Sequence, residues 1–433
     1  MTSTRRVGLL GAIGIGVGAM LGAGVFSDMW GDVLAAGRWY LLAVVLAGAV
    51  ALANALSTAQ LAARHPVAGG AYAYGRAELN PLAGHVAGAA FVVGKTVSVA
   101  VGALVLGAYV LPGQAHVTAT AAIVLCWALN ARGITKTAAG ATVIAIVVVT
   151  VLAAVVTLSV LRDVDVVGAP LATDQDALVT LPPLLVGAAA AFFAFAGYAR
   201  IATLGEEVRD PGRTIPRAIL IALGLVFVLY AAVAWALDRL GTDLIVPATP
   251  TGGGTVETTG VAAPIEQLAR AAGLPVWAVT ATAALSIGGA MLAVMAGAGR
   301  TAMAMAREGD LPRALAHQGA SGAPWRAEGV IALVAVVLVW SQGVSLILVS
   351  VACILLYYAV ANLAAIRQRR ARRTATLRVP VWVCAAGLAG CTALGAVALV
   401  SASGALAPAA VVLTVVVGWP LVAAALRRSR ARA

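Results

Sequence analysis

Two cations stand where so apolar a chain has little reason to carry charge. Lys95 lies about halfway along an apolar run, in Phe91-Val92-Val93-Gly94-Lys95-Thr96. Arg200 closes Phe192-Phe193-Ala194-Phe195-Ala196-Gly197-Tyr198-Ala199-Arg200. Ionisable side chains at such depth are rare and usually functional. No Asp or Glu falls in the middle of any apolar run, so neither cation has an obvious counter-charge. Each can hold an anionic group of a ligand, and a lysine can also carry a proton if it is neutral for part of a cycle. The competing readings are snorkelling for Lys95 and pairing with backbone carbonyls for Arg200.

Other reactive types add little. His65, His85, His116 and His317 fall near run ends and are too scattered for a metal site or a triad. Cys126, Cys353, Cys384 and Cys391 sit in apolar runs without a CxxC pair, so neither a disulfide framework nor zinc is indicated. Buried nucleophiles, acids or metal ligands do not cluster, which argues against an enzyme, and no cofactor is implied.

The elements that position the two cations follow from composition. Of 433 residues, 62% are hydrophobic and 11% charged, against about 45–50% and 25% in soluble domains. So few charges cannot cover a soluble core of this size, and the chain reads as an all-α polytopic membrane protein. Runs long enough to span, roughly 20 apolar residues each, number about twelve. They lie near 7–27, 40–63, 83–111, 117–130, 138–161, 183–206, 215–238, 274–299, 328–341, 345–366, 380–400 and 408–426. Two of these, 117–130 and 328–341, are short and are expected to extend into their loops. The first run is longer than a signal-peptide core and reads as a retained span.

With twelve spans both termini share one side. That side carries 23 of the 29 Lys and Arg residues, and the opposite side carries Arg38, Arg162, Arg239 and Arg270. The positive-inside rule then makes both termini cytoplasmic, in a multi-pass protein of the cell membrane. The net charge of +12 is thus an orientation signal, not a nucleic-acid patch. Asn54, Gln60, Ser98 and Ser286 are candidate hydrogen-bond partners between helices, and Ser286 a candidate flank for a weak cation pocket.

Two spans are irregular. The first contains Gly14-Ile15-Gly16-Val17-Gly18-Ala19-Met20-Leu21-Gly22-Ala23-Gly24-Val25-Phe26, a glycine density that weakens a helix and frees backbone groups. Close helix packing and a binding-site break both account for it. The sixth reaches Gly197 and then meets Arg200. Five spans separate the two, the offset expected of inverted repeats that each begin with a broken helix.

At these positions the chain resembles the amino acid–polyamine–organocation permease family. Gly22-Ala23-Gly24-Val25-Phe26 is similar to that family's break in helix 1, and Pro66-Val67-Ala68-Gly69-Gly70-Ala71-Tyr72-Ala73-Tyr74 to its loop between helices 2 and 3. Phe192 to Gly197, followed by Glu206-Glu207-Val208-Arg209-Asp210-Pro211 and Ile215-Pro216, resembles its helix 6 signature. Arg300 with Ala304-Met305-Ala306-Arg307-Glu308-Gly309-Asp310-Leu311-Pro312 resembles its helix 8 ending.

The resemblance implies a leucine-transporter-like fold: a 5+5 inverted repeat with broken helices 1 and 6, plus two peripheral helices. The repeats would cover 1–162 and 163–375, with helices 11 and 12 and a basic tail in 376–433. It implies secondary transport of an amino acid by alternating access. Backbone amides of Ala23 and Gly24 would hold the substrate carboxylate and carbonyls of Met20, Phe193 and Ala196 its amino group; Gly22, Gly197, Tyr198 and Arg200 would complete the site. Phe193 matches a gating aromatic, although Phe192, Phe193 and Phe195 include at least one simple packing residue. Some relatives use a lysine in helix 5 in place of sodium; the matching position here is near Val148, so Lys95 becomes the proton-coupling candidate. Glu206, Glu207, Arg209 and Asp210 are cytoplasmic gate candidates, or simply a solvated helix end. Two cations at the site disfavour a cationic substrate and favour a neutral or acidic amino acid. The partners expected are that small molecule and membrane lipid, with no nucleic acid, and nothing in the sequence fixes the oligomeric state. A non-transporting amino-acid receptor on the same fold is the alternative.

Overall fold

A computed structural model describes residues 7–27, 29–65, 69–133, 138–162, 181–202, 204, 208–240, 263–341, 345–370, 377–402 and 414–421. Helices make up almost all of it. The first span is split into α1 (Leu9–Met20) and α2 (Ala23–Phe26), followed by the short α3 (Met29–Leu34). The second span is α4 (Tyr40–Arg64), and α5 (Ala71–Glu78) is a short connecting helix. Then come α6 (Pro81–Val110), α7 (Ala115–Ala131) and α8 (Ala138–Leu161). The sixth span is α9 (Leu181–Phe195), a tight 3₁₀ turn at Ala196–Tyr198, and α10 (Ala199–Ala202). It is followed by α11 (Pro211–Leu240), the short α12 (Pro264–Ala271) and α13 (Val276–Arg307). The last full helices are α14 (Trp325–Val339), α15 (Leu346–Arg370) and α16 (Val381–Ser401).

Nine of the described helical segments are long and apolar enough to cross a membrane. The two runs expected to be short, α7 and α14, have 17 and 15 residues and begin two or three residues before the run read from sequence. At 1.5 Å per residue that is about 26 and 23 Å of helix, a near match to a thin apolar layer. The last expected span, 408–426, falls mostly outside the described residues. Both breaks occur where the glycines place them, at Leu21–Gly22 and at Ala196–Tyr198.

α6 is the central post. Asn80 caps it by accepting from the Ala83 N–H at 2.8 Å, and Pro81 takes the first helical position, where its missing N–H is not needed. It packs against α5, α7, α13, α14 and α15, while α4 packs against α9, α11, α15 and α16. The four polar residues singled out as interhelical partners all serve as such. Asn362 Nδ2 donates to Asn54 Oδ1 at 2.7 Å, and Gln60 Nε2 to Gln368 Oε1 at 2.8 Å. Ser98 and Ser350 hydroxyls lie 2.8 Å apart, and Ser286 Oγ donates to the Leu21 carbonyl at 2.8 Å. All four cysteines are buried and free.

The end of the bundle that carries most arginines is laced by ion pairs. Arg76 reaches Glu308 at 2.9 Å and Asp310 at 3.2 Å, and the Tyr72 hydroxyl donates to Asp310 at 3.1 Å. Glu78 lies 2.7 Å from His65 and 3.5 Å from Arg64. Two of the histidines dismissed as scattered therefore have carboxylate partners: His65 with Glu78, and His85 with Asp310 at 3.6 Å. His65 and Glu78 are 13 residues apart in the chain, and α5 and the end of α13 bring the acids to the two histidines.

Candidate functional site

The two breaks face each other. A Cβ on Gly24 would lie 2.5 Å from Ala194 Cα, and a Cβ on Gly197 2.5 Å from the Ala19 carbonyl. Each broken span thus rests a glycine on the backbone of the other, which no larger residue allows without moving that backbone. The carbonyls released by the breaks are taken up by hydroxyls from neighbouring helices. Tyr230, fully buried on α11, donates 2.7 Å to the Met20 carbonyl and lies 3.3 Å from that of Ala194. Ser286 serves Leu21, and Tyr358 reaches the Ala196 carbonyl at 3.3 Å. Dense glycine therefore does both jobs that were left open: it breaks the helix and it permits close packing.

Beside the breaks lies a cavity of about 370 Å³, lined by α1, α2, α6, α9, α10, α13 and α15. Met20, Ala23, Gly24, Lys95, Phe193, Ala196, Gly197 and Arg200 all line it, which brings together eight of the ten substrate-site residues expected from sequence. The other two do not. Gly22 is packed beside Ala290, and Tyr198 is fully buried with its ring stacked on Tyr358 at 5.1 Å. Their place is structural: Gly22 lets α2 approach α13, and Tyr198 anchors the tight turn against α15.

The three phenylalanines separate cleanly. Phe193 lines the cavity and is half-buried. Phe192 and Phe195 are fully buried, one edge-on to Tyr358 and the other against Tyr230 and Phe227. Lys95 is 8% exposed, its Nζ 5.9 Å from the Phe91 ring centre. Among the described residues no carboxylate pairs with it.

Sequence reasoning missed a third cation. Arg300, assigned to a cytoplasmic segment, lies seven residues inside the end of α13 and lines the cavity together with Lys95 and Arg200. It is exposed, so the cavity is open at the arginine-rich end. Arg200 and Arg300 also line a smaller adjoining space of about 110 Å³ between α1, α7, α8 and α13. The sequence held no local signal for this, since the apolar run ends at 299 and only the structure shows the helix continuing to Arg307. Glu328, in the first turn of α14, is 1% exposed and its side chain packs on Gly299, next to Arg300. Ser98, Ser350, Phe91, Met291 and Thr301 are further lining residues. On the opposite face, Phe26 meets Tyr109 edge-on at 5.6 Å, and Trp30 Nε1 donates to the Val25 carbonyl at 2.8 Å.

Of the gate candidates, Glu206 and Glu207 lie outside the described residues. The Arg209 N–H donates to the Val7 carbonyl at 2.9 Å, within a parallel bridge between Val7 and Val208 that ties the start of α1 to the segment after α10. Asp210 takes a positive φ of 46° and its carbonyl accepts from Arg213 and Thr214, opening α11. No cluster of three metal-ligating side chains occurs among the described residues.

A bundle with two opposed helix breaks around a central cavity is the architecture of leucine-transporter-like membrane transporters. Comparisons with solved structures agree: MhsT in complex with L-phenylalanine superposes with a TM-score of 0.57 at 15% identity, covering 91% of this chain and 98% of that one. A mutant manganese transporter of Eremococcus coleocola gives 0.57 at 12% identity, covering 96% and 93%. Residues 7–421 match the amino acid permease family, and the chain belongs to it, within the amino acid–polyamine–organocation superfamily. An uncharacterised transporter of Mycobacterium bovis is 40% identical over 401 residues, 90% of this chain and 85% of that protein. A Mycobacterium tuberculosis transporter matches with the same figures. A chloroplastic cationic amino acid transporter of Arabidopsis thaliana is 43% identical over 79 residues, only 18% of this chain and 14% of that one.

Proposed function

We propose that the protein is a secondary transporter that carries a neutral or acidic amino acid across the cell membrane by alternating access, with both termini cytoplasmic. The observation that carries this reading is the cavity itself. It is walled by both helix breaks, and its charged lining residues are Lys95, Arg200 and Arg300 with no Asp or Glu among them. Backbone N–H groups at Ala23 and Gly24 begin a helix and have no partner one turn earlier, so they suit a carboxylate. The carbonyls of Met20, Phe193 and Ala196 suit the ammonium, with the second lone pair of Met20 and Ala196 left after Tyr230 and Tyr358. Lys95, buried at the cavity wall, together with Arg200 disfavours a cationic side chain there. The Arabidopsis relative's cationic substrate is not carried over, because the match spans so little of either chain.

The open end at Arg300 and the closed aromatic face at Phe26 and Tyr109 support an inward-open arrangement, with Phe193 as the aromatic that closes on the substrate. Lys95 is the proton-coupling candidate: it is buried, it faces the cavity, and a neutral form needs no counter-ion. Uptake of a radiolabelled amino-acid panel into proteoliposomes, with and without an imposed pH gradient, tests substrate and coupling together. Lys95→Met is expected to abolish the response to the gradient; unchanged pH dependence and affinity would remove Lys95 from the mechanism. Inhibition by arginine alone would overturn the substrate class.

A further inference from the structure

We propose that Glu328 is a proton-binding site behind the arginine-rich mouth of the cavity, and that it trades its proton for the Arg300 guanidinium. Release of the proton draws Arg300 off the cavity wall, so the charge of the mouth follows pH. The proposal goes beyond the transport reading above and stands without it.

Glu328 lies in the first turn of α14 and is 1% exposed. Its Oε2 is buried without a hydrogen-bond partner, and among the described residues no ion pair reaches its carboxyl. A buried carboxylate left in this way is costly, so in this arrangement the group holds its proton. A glycine admits it. A Cβ on Gly299 would lie 2.5 Å from Glu328 Cγ and 3.2 Å from Oε1, so any other residue at 299 pushes the acid away.

Arg300 is the next residue along α13. Gly297, Thr301 and Ala304 mark the face of that helix that lines the cavity. At 3.6 residues per turn, Arg300 falls between that face and the one Gly299 turns to α14. Its side chain is exposed, so rotation of a long, unburied arm moves the guanidinium between cavity and acid. The elements packed on α14 are α6, α7, α13 and the tight turn Arg313–Ala316. They carry His85 and Lys95, His116, Arg300 and Arg307, and Arg313; Arg132 follows α7, and α14 itself adds Arg326. Of these it is Arg300 whose charge acts on Glu328.

The exchange balances. The O–H bond of Glu328 breaks, the proton passes to water at the open mouth, and the carboxylate left behind pairs with a guanidinium that is already charged. A guanidinium can meet both oxygens of a carboxylate at once, which supplies the partner that Oε2 lacks. With the proton bound, Arg300 stays on the wall beside Arg200 and the mouth attracts anions. With the proton gone, one of those charges is neutralised.

Infrared difference spectra of the purified protein over a pH series test the proton site, read at the carbonyl stretch of protonated carboxyls. A band that fades as pH rises and is missing from Glu328→Gln is expected. In Arg300→Gln, which removes the replacement partner, the same band is expected to persist to higher pH. The mouth is read separately through Thr301→Cys, on the cavity wall next to Arg300, by its rates of labelling with an anionic and a neutral methanethiosulfonate. The ratio of the two rates is expected to fall about threefold as pH rises, the effect of one unit charge a few ångströms away in a high dielectric, and to stay flat when Glu328→Gln is added. A band unchanged in Glu328→Gln, a band that titrates as before in Arg300→Gln, or a labelling ratio indifferent to pH would overturn the proposal. Arg300 is exposed, so its variant decides the matter if Glu328→Gln fails to fold. Neither readout needs a transported substrate, so failure of the protein to take up any amino acid would remove the transport reading alone.

Discussion

The two helix breaks solve one problem with different materials. In the first span the interruption is two non-helical residues, Leu21 and Gly22, inside a glycine-rich stretch, and two strong hydroxyl bonds close its carbonyls. In the sixth it is a 3₁₀ turn, Ala196–Tyr198, which keeps most of its hydrogen bonding local and is wedged by aromatic rings. The first break is therefore open backbone held from outside, and the second is a tightened helix held by packing. The difference fits their parts in the proposed site. Free amide groups are needed where a carboxylate docks, and a large ring that can move is needed where a gate closes.

The sharpest way to break the comparison is at the contact where the two spans touch. Gly24→Val places a branched side chain where even a Cβ would be 2.5 Å from Ala194 Cα. Overpacking typically costs about 1–3 kcal/mol, and here the obstacle is backbone, so loss of both transport and monodisperse protein is expected. Gly197→Ala meets the Ala19 carbonyl at the same distance and is expected to do the same. Size-exclusion profiles and uptake, measured together, check both; a well-folded, active Gly24→Val would show that the spans are not locked.

Next come the rings. Phe192→Ala removes a fully buried side chain and is expected to destabilise by about 3 kcal/mol or more, read as a lowered thermal midpoint. Phe193→Ala touches the cavity instead, and is expected to impair uptake at least tenfold with a much smaller change in midpoint. If the two variants behaved alike, the assignment of one ring to packing and the other to the site would fail.

These rings also mark what the sequence made legible. Apolar run lengths placed most helices to within a few residues, because a span is a local property of composition, but α13 continues to Arg307 where its run ends at 299. Glycine placed both breaks for the same reason. The run Phe192-Phe193-Ala194-Phe195 could not say which ring faces inward, since a helix about to break has no fixed face. Arg300 was misplaced because its position depends on how far α13 continues past its apolar run. Ser98 was recognised as a helix–helix partner and not as part of the site; its pairing with Ser350 depends on a residue 252 positions away. The carboxylate contacts of His65 and His85 escaped notice for the same reason: they depend on partners from other elements, Glu78 on α5 and Asp310 after α13.

A smaller effect separates the hydroxyls that serve the breaks. Tyr230→Phe leaves the Met20 carbonyl without its 2.7 Å donor, and an unsatisfied buried acceptor costs about 1–3 kcal/mol. Tyr358→Phe removes a longer 3.3 Å contact to the Ala196 carbonyl, in a turn that already closes on itself, so a smaller loss is expected. Thermal midpoints of the two variants, in one detergent, give the ratio. Equal losses would mean that the second break depends on outside donors as much as the first.

The smallest expected change lies away from both breaks and serves as their control. Burial opposes ionisation of Glu78, yet hydrogen bonds from His65 and Gln368, with the positive charge of His65 and Arg64, hold its carboxyl below the usual range. A carboxyl lowered on folding stabilises the fold at any pH above its unfolded value, about 4, and that contribution fades as pH falls through the lowered value. Glu78→Gln is therefore expected to lower the thermal midpoint by a few degrees at pH 7 and to narrow the gap to the unmodified protein as pH drops below about 4. The amino-acid selectivity of uptake should not move, because the pair joins α5 to the end of α4 and touches neither break. A shift in selectivity would mean that the arginine-rich end reports to the cavity, and that the breaks are set by more than their own glycines, hydroxyls and rings.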